Sequence, residues 1–180
     1  MIKVRSDVDT DRLQQASAYA LGLGGVLPFW TIPFVGAYAA WWGEDIAATI
    51  AQWGLFYAAI IVSFMSGGRW AFRVLEVDMR PTSVFGGFLG AVAPALIAWV
   101  LIGLPPTLGD TEIGNGLRFF LMGALLIIQL TQDDDQARIG PAIPQWYMRL
   151  RGLLVLGAAT PLMLPQALGF IRTLVLGDPA

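Results

Sequence analysis

Charged residues along this chain fall in clusters, and the stretches between the clusters are long and apolar. Residues 13–43 run 31 positions without a charge, 46–68 run 23, 81–109 run 29 and 152–171 run 20. Residues 113–132 run another 20, interrupted only by Arg118. A membrane-spanning helix needs about 20 mostly apolar residues. Backbone polar groups cannot stay unpaired in lipid, so each run is expected to be helical. The alternation of apolar and polar residues that marks a membrane β-barrel strand is absent. The pattern predicts an all-α integral membrane protein, a bundle of five transmembrane helices over about 17–40, 46–72, 83–104, 115–132 and 148–170. These make one transmembrane domain, 17–172, between a polar arm at 1–16 and a short tail at 173–180.

The connections read as punctuation. A short turn carries Trp41, Trp42, Gly43, Glu44 and Asp45, and a second runs from Asp78 to Pro81. The third is rich in Pro and Gly, and the fourth, from Asp133 to Gln145, is the longest polar connection. Pro28, Pro33, Pro94, Pro161 and Pro165 fall inside spans, where each removes a donor and frees a carbonyl one turn earlier. Pro161 and Pro165 are expected to bend the last span or end it early.

Lys and Arg positions orient the bundle. Lys3, Arg5, Arg12, Arg69, Arg73, Arg80, Arg138, Arg149 and Arg151 fall on one side, and only Arg118 and Arg172 on the other. This predicts a cytoplasmic N-terminus and a periplasmic C-terminus. Trp41, Trp42, Trp70, Trp146 and Tyr147 lie near span ends, where amphipathic rings favour the interface.

Composition excludes much chemistry. The chain has 180 residues, 56% hydrophobic and 13% charged, with no Cys and no His. Disulfides, thiol nucleophiles, histidine bases and soft-metal sites are therefore ruled out. Any metal would need oxygen ligands, and the Asp133-Asp134-Asp135 run reads as a solvated acidic turn. A net charge of −2 and no basic run speak against nucleic acid as a partner. The first fifteen residues lack an apolar signal core and are rich in acid, so the chain is expected to keep its N-terminus, with its first span as anchor. No nucleophile has a visible base, so no catalytic residues, cofactor site or metal site are expected, and the chain is not read as an enzyme.

The richest chemistry lies at the cytoplasmic rim. Arg69, Trp70, Arg73, Trp146, Tyr147, Arg149 and Arg151 form a candidate contact for a lipid headgroup such as cardiolipin, or for a partner's acidic loop. Salt bridges within the rim are the simpler use of the same arginines. Gly24, Gly25, Gly67, Gly86 and Gly90 are candidate helix-packing positions. Gln52, Tyr57, Ser63 and Gln129 are candidate cavity-lining polar groups.

Two stretches carry a family likeness. Tyr57-Ala-Ala-Ile-Ile-Val-Ser-Phe-Met-Ser-Gly-Gly-Arg-Trp70 and Pro144-Gln-Trp-Tyr-Met-Arg-Leu-Arg-Gly-Leu-Leu154 resemble two runs typical of the transmembrane protein 69 family and its bacterial relatives. Residues 21–29 fit that family's first span. The resemblance singles out Tyr57, Ser63, Gly67, Arg69, Trp70, Trp146, Tyr147 and Arg151 as shared positions, with Arg69 where relatives often have histidine. It implies a small helical bundle of unknown function in a bacterial or mitochondrial inner membrane; the N-terminus, unlike a transit peptide, favours a bacterium. The leading expectation is an accessory or assembly subunit of a larger respiratory or photosynthetic complex, with membrane lipids and other inner-membrane subunits as partners. The alternative is a small transporter or a lipid- or quinone-binding bundle.

Overall fold

The computed structural model describes residues 3–37, 41, 43–75, 81–105, 107–108, 111–112, 114–139 and 143–176. Within them lie six helices: α1 (Lys3–Gly24), α2 (Leu27–Ala37), α3 (Glu44–Leu75), α4 (Pro81–Gly103), α5 (Asn115–Ile139) and α6 (Gln145–Leu176). Two short strands, β1 (Thr107–Leu108) and β2 (Thr111–Glu112), pair antiparallel between α4 and α5. The connection at 76–80 and the tail beyond 176 lie outside the described residues.

The bundle is built around α3, which packs on α2, α4 and α5, while α6 packs on α5, α2 and α1. The passes alternate in direction. Tyr19 of α1 meets Trp146 at the start of α6, and Val26 meets Gly157 further along it. Ile32 of α2 meets Gly54 in the first half of α3. The core holds Phe29, Leu55, Val62, Met122, Leu126, Val155 and Leu162, all nearly inaccessible. Among the buried side chains of α5, those at 119, 122, 126, 129 and 133 keep the three-four spacing of one helix face. The outward surface carries Trp53, Phe56, Ile60 and Phe64 on α3, Ile97 and Trp99 on α4, and Leu153 and Leu156 on α6. A soluble chain does not leave so continuous an apolar surface in water. Three helices, Asp45–Leu75, Val84–Gly103 and Gln145–Arg172, are long and apolar enough to cross a bilayer. The structure is that of a helical membrane protein.

The structure differs from the sequence pattern in four places. The expected single helix over 17–40 is divided: α1 stops at Gly24, residues 25–26 form a turn, and α2 starts at Leu27. Pro28 has no N–H to donate backward, and its ring suits the first turn of a new helix. The break leaves the Gly25 carbonyl outside both helices, and the Tyr57 hydroxyl of α3 donates to it at 2.6 Å. The second difference is at α5, which does not end near 132 but continues to Ile139, so the acidic run lies on a helix and not in a turn. The third is α6, which passes through Pro161 and Pro165 unbroken to Leu176. The polar residues from Lys3 onward also continue as helix into the first apolar segment.

Arg118, the one charge inside an apolar run, has a structural use. It is buried near the start of α5, and its Nη2 donates to the carbonyls of Leu104 (3.0 Å) and Pro105 (2.9 Å). These follow the end of α4, where carbonyls lack intrahelical donors. The clamp fixes the α4–α5 connection from below the hairpin.

Glycine positions divide sharply. A Cβ on Gly24, Gly67 or Gly86 would meet nothing within 4 Å, so these three are not intramolecular packing sites. Close contacts belong instead to Gly22 against Leu154, Gly54 against Ile32, Gly157 against Val26 and Gly123 against Met163. Gly123→Leu is therefore expected to lose about 1–3 kcal/mol through overpacking between α5 and α6. Gly86→Ala should be neutral, or gain up to about 1 kcal/mol by relief of backbone entropy. Unfolding of the two variants in detergent, followed by circular dichroism, separates these outcomes.

Candidate functional site

At one end of the bundle four helices bring their charged positions together. The last turns of α3 carry Arg69 and Arg73, α5 carries Gln129 and Asp133, α6 opens with Trp146, Tyr147 and Arg151, and α4 supplies Gly87 and Gly90. Asp133 is the hub, and it is 3% exposed. The Nε of Arg151 donates to its Oδ2, and the Nε of Arg69 lies 3.1 Å from its Oδ1. Both arginines are also 3% exposed.

Further donors of both reach backbone carbonyls and one hydroxyl. Arg151 Nη2 donates to the Met65 carbonyl of α3 at 3.0 Å, and Nη1 donates to the Tyr147 hydroxyl at 3.0 Å. Arg69 Nη1 donates to the Gly90 carbonyl of α4 at 2.8 Å. That carbonyl is available because its helical donor would be residue 94, which is proline. One turn deeper, Gln129 Nε2 donates to the Val62 carbonyl at 3.2 Å and to the Ser66 hydroxyl at 3.3 Å. Apart from Arg151–Tyr147, which share α6, each of these contacts joins different helices, so α3, α4, α5 and α6 are tied at this end by one polar network.

The rim residues separate into two groups. Arg69, Arg151 and, less completely, Tyr147 and Arg73 turn into the protein. Arg73 lies over Gly87, whose missing Cβ would sit 3.0 Å from its Nε. Trp70 and Arg149 are exposed, Trp70 packing edge-on against Phe88 at 4.7 Å between ring centroids. Trp146 is half-buried and its carbonyl accepts from Tyr19. Arg69 and Arg151 both pair with Asp133, because a buried carboxylate needs charged partners. The polar residues expected to line a cavity are not in the lining of either cavity described below. Gln129 is fully buried inside the network, Ser63 faces outward, Gln52 is half-buried, and Tyr57 holds the α1–α2 break.

A cavity does exist, on the other side of Arg151. It measures about 450 Å³ and lies between α1–α2, α3 and α6, over Leu126 of α5. Gly25, Phe29, Ile61 and Ala158 line its apolar length, and Arg151, Tyr147 and Gly68 its polar end. Its side is bounded by Leu21 and Phe64, which are 79% and 76% exposed, so it opens laterally between α1 and α3. α1 packs on α6 and has no comparable interface with α3. A smaller cavity of about 350 Å³ at the opposite end is lined by Pro33, Asn115, Phe119 and Pro165. Among the described residues no cluster of three or more His, Cys, Asp or Glu is placed to hold a metal.

Asp133 was not singled out by composition, because three consecutive aspartates read as solvated. The signal was in the register: 133 continues the 119, 122, 126, 129 face of α5. The class defined by fold and site is a polytopic helical membrane protein with a buried arginine–aspartate network at one end. Residues 14–166 match the family described as protein of unknown function (DUF3429), and the chain belongs to that family. It is also similar to transmembrane protein 69 of Xenopus tropicalis, at 26% identity over 160 residues, 89% of this chain and 57% of the relative. The chain thus spans little more than half the length of that relative. No solved structure matches it.

Breaking a buried ion pair from one side leaves an uncompensated charge. Asp133→Asn is expected to cost about 3–5 kcal/mol, since two guanidiniums would then face each other with no counter-charge. Arg149→Gln, at an exposed site two residues from Arg151 on α6, should stay within about 0.5 kcal/mol. Denaturant or sodium dodecyl sulfate titration of the purified variants tests the contrast.

Proposed function

We propose that this chain is a five-span inner-membrane protein, N-terminus cytoplasmic and C-terminus periplasmic, whose bundle binds a single-chain apolar ligand of the lipid or quinone type. The observation that carries the reading is the lateral cavity of about 450 Å³. It falls within the range of about 300–1,000 Å³ common for small-ligand sites, and it is apolar with a few convergent polar groups. An empty apolar void forfeits dispersion contacts on every wall. A cavity that opens into lipid is therefore expected to hold a chain.

The five passes rest on the alternating packing of α1–α2, α3, α4, α5 and α6. The orientation rests on the separation of Arg69, Arg73, Arg149 and Arg151 from Arg118, which sits at the other end. A bacterial cytoplasmic membrane is the setting that fits this asymmetry. No residue is assigned a catalytic role. A second reading, an accessory or assembly subunit of a larger membrane complex, draws on the open faces of Gly67 and Gly86, which leave room for another helix to approach. Gentle extraction from native membranes would give a large co-migrating assembly in that case; a monodisperse monomer removes it.

The absence of native cysteine makes topology measurable with single-cysteine variants. Thr10→Cys and Gln145→Cys should react with an impermeant maleimide only after the membrane is opened. Gly114→Cys should react in intact cells. Any other pattern overturns the five-pass orientation. For the ligand, native mass spectrometry of the mildly extracted chain is expected to show a bound lipid-sized mass that is lost in Ala158→Phe, which fills the cavity. An unliganded chain in all conditions, with no uptake of added lipid, overturns the binding reading.

A further inference from the structure

We infer that the polar end of the lateral cavity selects a single-chain lipid with an anionic oxygen head, and that Arg151 and Tyr147 hold that head. The inference rests on the binding reading above and names the ligand's chemistry.

The first step is a property of the bilayer. A hydrocarbon tail moving from lipid into an apolar cavity leaves one apolar medium for another, so the tail discriminates little. Selection must come from the head. The cavity's apolar walls run along α6 from Arg151 to Ala158, about 10 Å at the helical rise. The polar end lies on the side of Trp146 and Arg149, and the apolar end points toward Phe29 in the bundle's middle. A lipid of the leaflet on that side would enter between Leu21 and Phe64 with its head already at the polar end.

The second step is the donor count. A guanidinium has five N–H groups and no acceptor. Arg151 directs one to Asp133, one to Tyr147 and one to Met65. Two remain, on a side chain 3% exposed that lines the cavity. The Tyr147 hydroxyl accepts from Arg151 and keeps its own proton to donate. Arg151 has only donors to offer and the Tyr147 hydroxyl has a proton to give, so a head that brings acceptors fits this end.

The third step is charge. Asp133 is shared between Arg69 and Arg151. The trio carries one positive charge in excess. An anionic head balances it, and charge-assisted hydrogen bonds are roughly twice as strong as neutral ones. Gly68 leaves the space: a Cβ there would lie 3.3 Å from Arg151 Nη1 and 3.8 Å from the Tyr147 oxygen. A fatty carboxylate and a lysophospholipid phosphate share the required chemistry. A quinone offers carbonyl acceptors and leaves the charge unbalanced.

The test is competition binding to the delipidated full chain in detergent, read by native mass spectrometry. The probes are oleate, oleoyl lysophosphatidate, oleyl alcohol and decylubiquinone. Oleate or lysophosphatidate should bind about tenfold or more tightly than oleyl alcohol, and which of the two leads identifies the head. Tyr147→Phe, which leaves the Asp133 pairs intact, should narrow the acid-to-alcohol ratio at least threefold, and Arg151→Lys should narrow it further. Should Arg151→Lys fail to fold, Tyr147→Phe carries the test alone. Equal binding of acid and alcohol, or preference for decylubiquinone, overturns the head assignment and leaves the binding reading standing. Binding of none of the four overturns both.

Discussion

One carboxylate shared between two guanidiniums organises this protein. Asp133 sits where α3, α5 and α6 converge, and Arg69 carries the connection on to α4. In a bilayer the hydrophobic effect does little to press helices together, because lipid tails are as apolar as leucine. Helices are then joined by close packing and by polar groups that have nowhere else to go. Met122, Leu126 and Val155 supply the first, and the arginine–aspartate network supplies the second. The network defines one end of the bundle, and with it the register in which four helices meet.

Much of the fold was legible because lipid imposes a length and forbids unpaired backbone. Four runs, three of them charge-free and one holding only Arg118, became α3, α4, α5 and α6, with ends shifted by up to seven residues. The first became two helices, since Pro28 has no N–H to donate one turn back and Tyr57 stabilises the break from another helix. That partner is distant in sequence, so no local pattern announces it. Glycine roles were opaque for the same reason. Gly86 is open and Gly87 lies under Arg73, though they are adjacent; only the facing helix decides.

For the site, the gathering of Arg69, Trp70, Trp146, Tyr147 and Arg151 at one end was readable from charge and from helix direction. Their division into inward and outward groups was not. A triple aspartate is ordinarily a hydrated feature, and residue-type reasoning treated it so. Helical phase would have separated Asp133 from its neighbours, because it prolongs a buried stripe. The cavity escaped the sequence for a plainer reason: its walls are small and aliphatic residues, indistinguishable in a string from any lipid-facing surface. What distinguishes them is a gap, left where α1 leans on α6 and away from α3.

The bond between Arg69 and the Gly90 carbonyl joins two liabilities into one asset. Pro94 strips that carbonyl of its usual donor, and burial strips the guanidinium of water. Each defect alone would weaken the helix or the interior; facing each other, they cancel. The roles of positions 69 and 94 are therefore structurally dependent on each other. A lineage that replaced the proline would give the oxygen a competing suitor, and one that replaced the arginine would leave it bare. Paired exchange at positions 69 and 94 across descendants would be the historical trace of that mutual dependence.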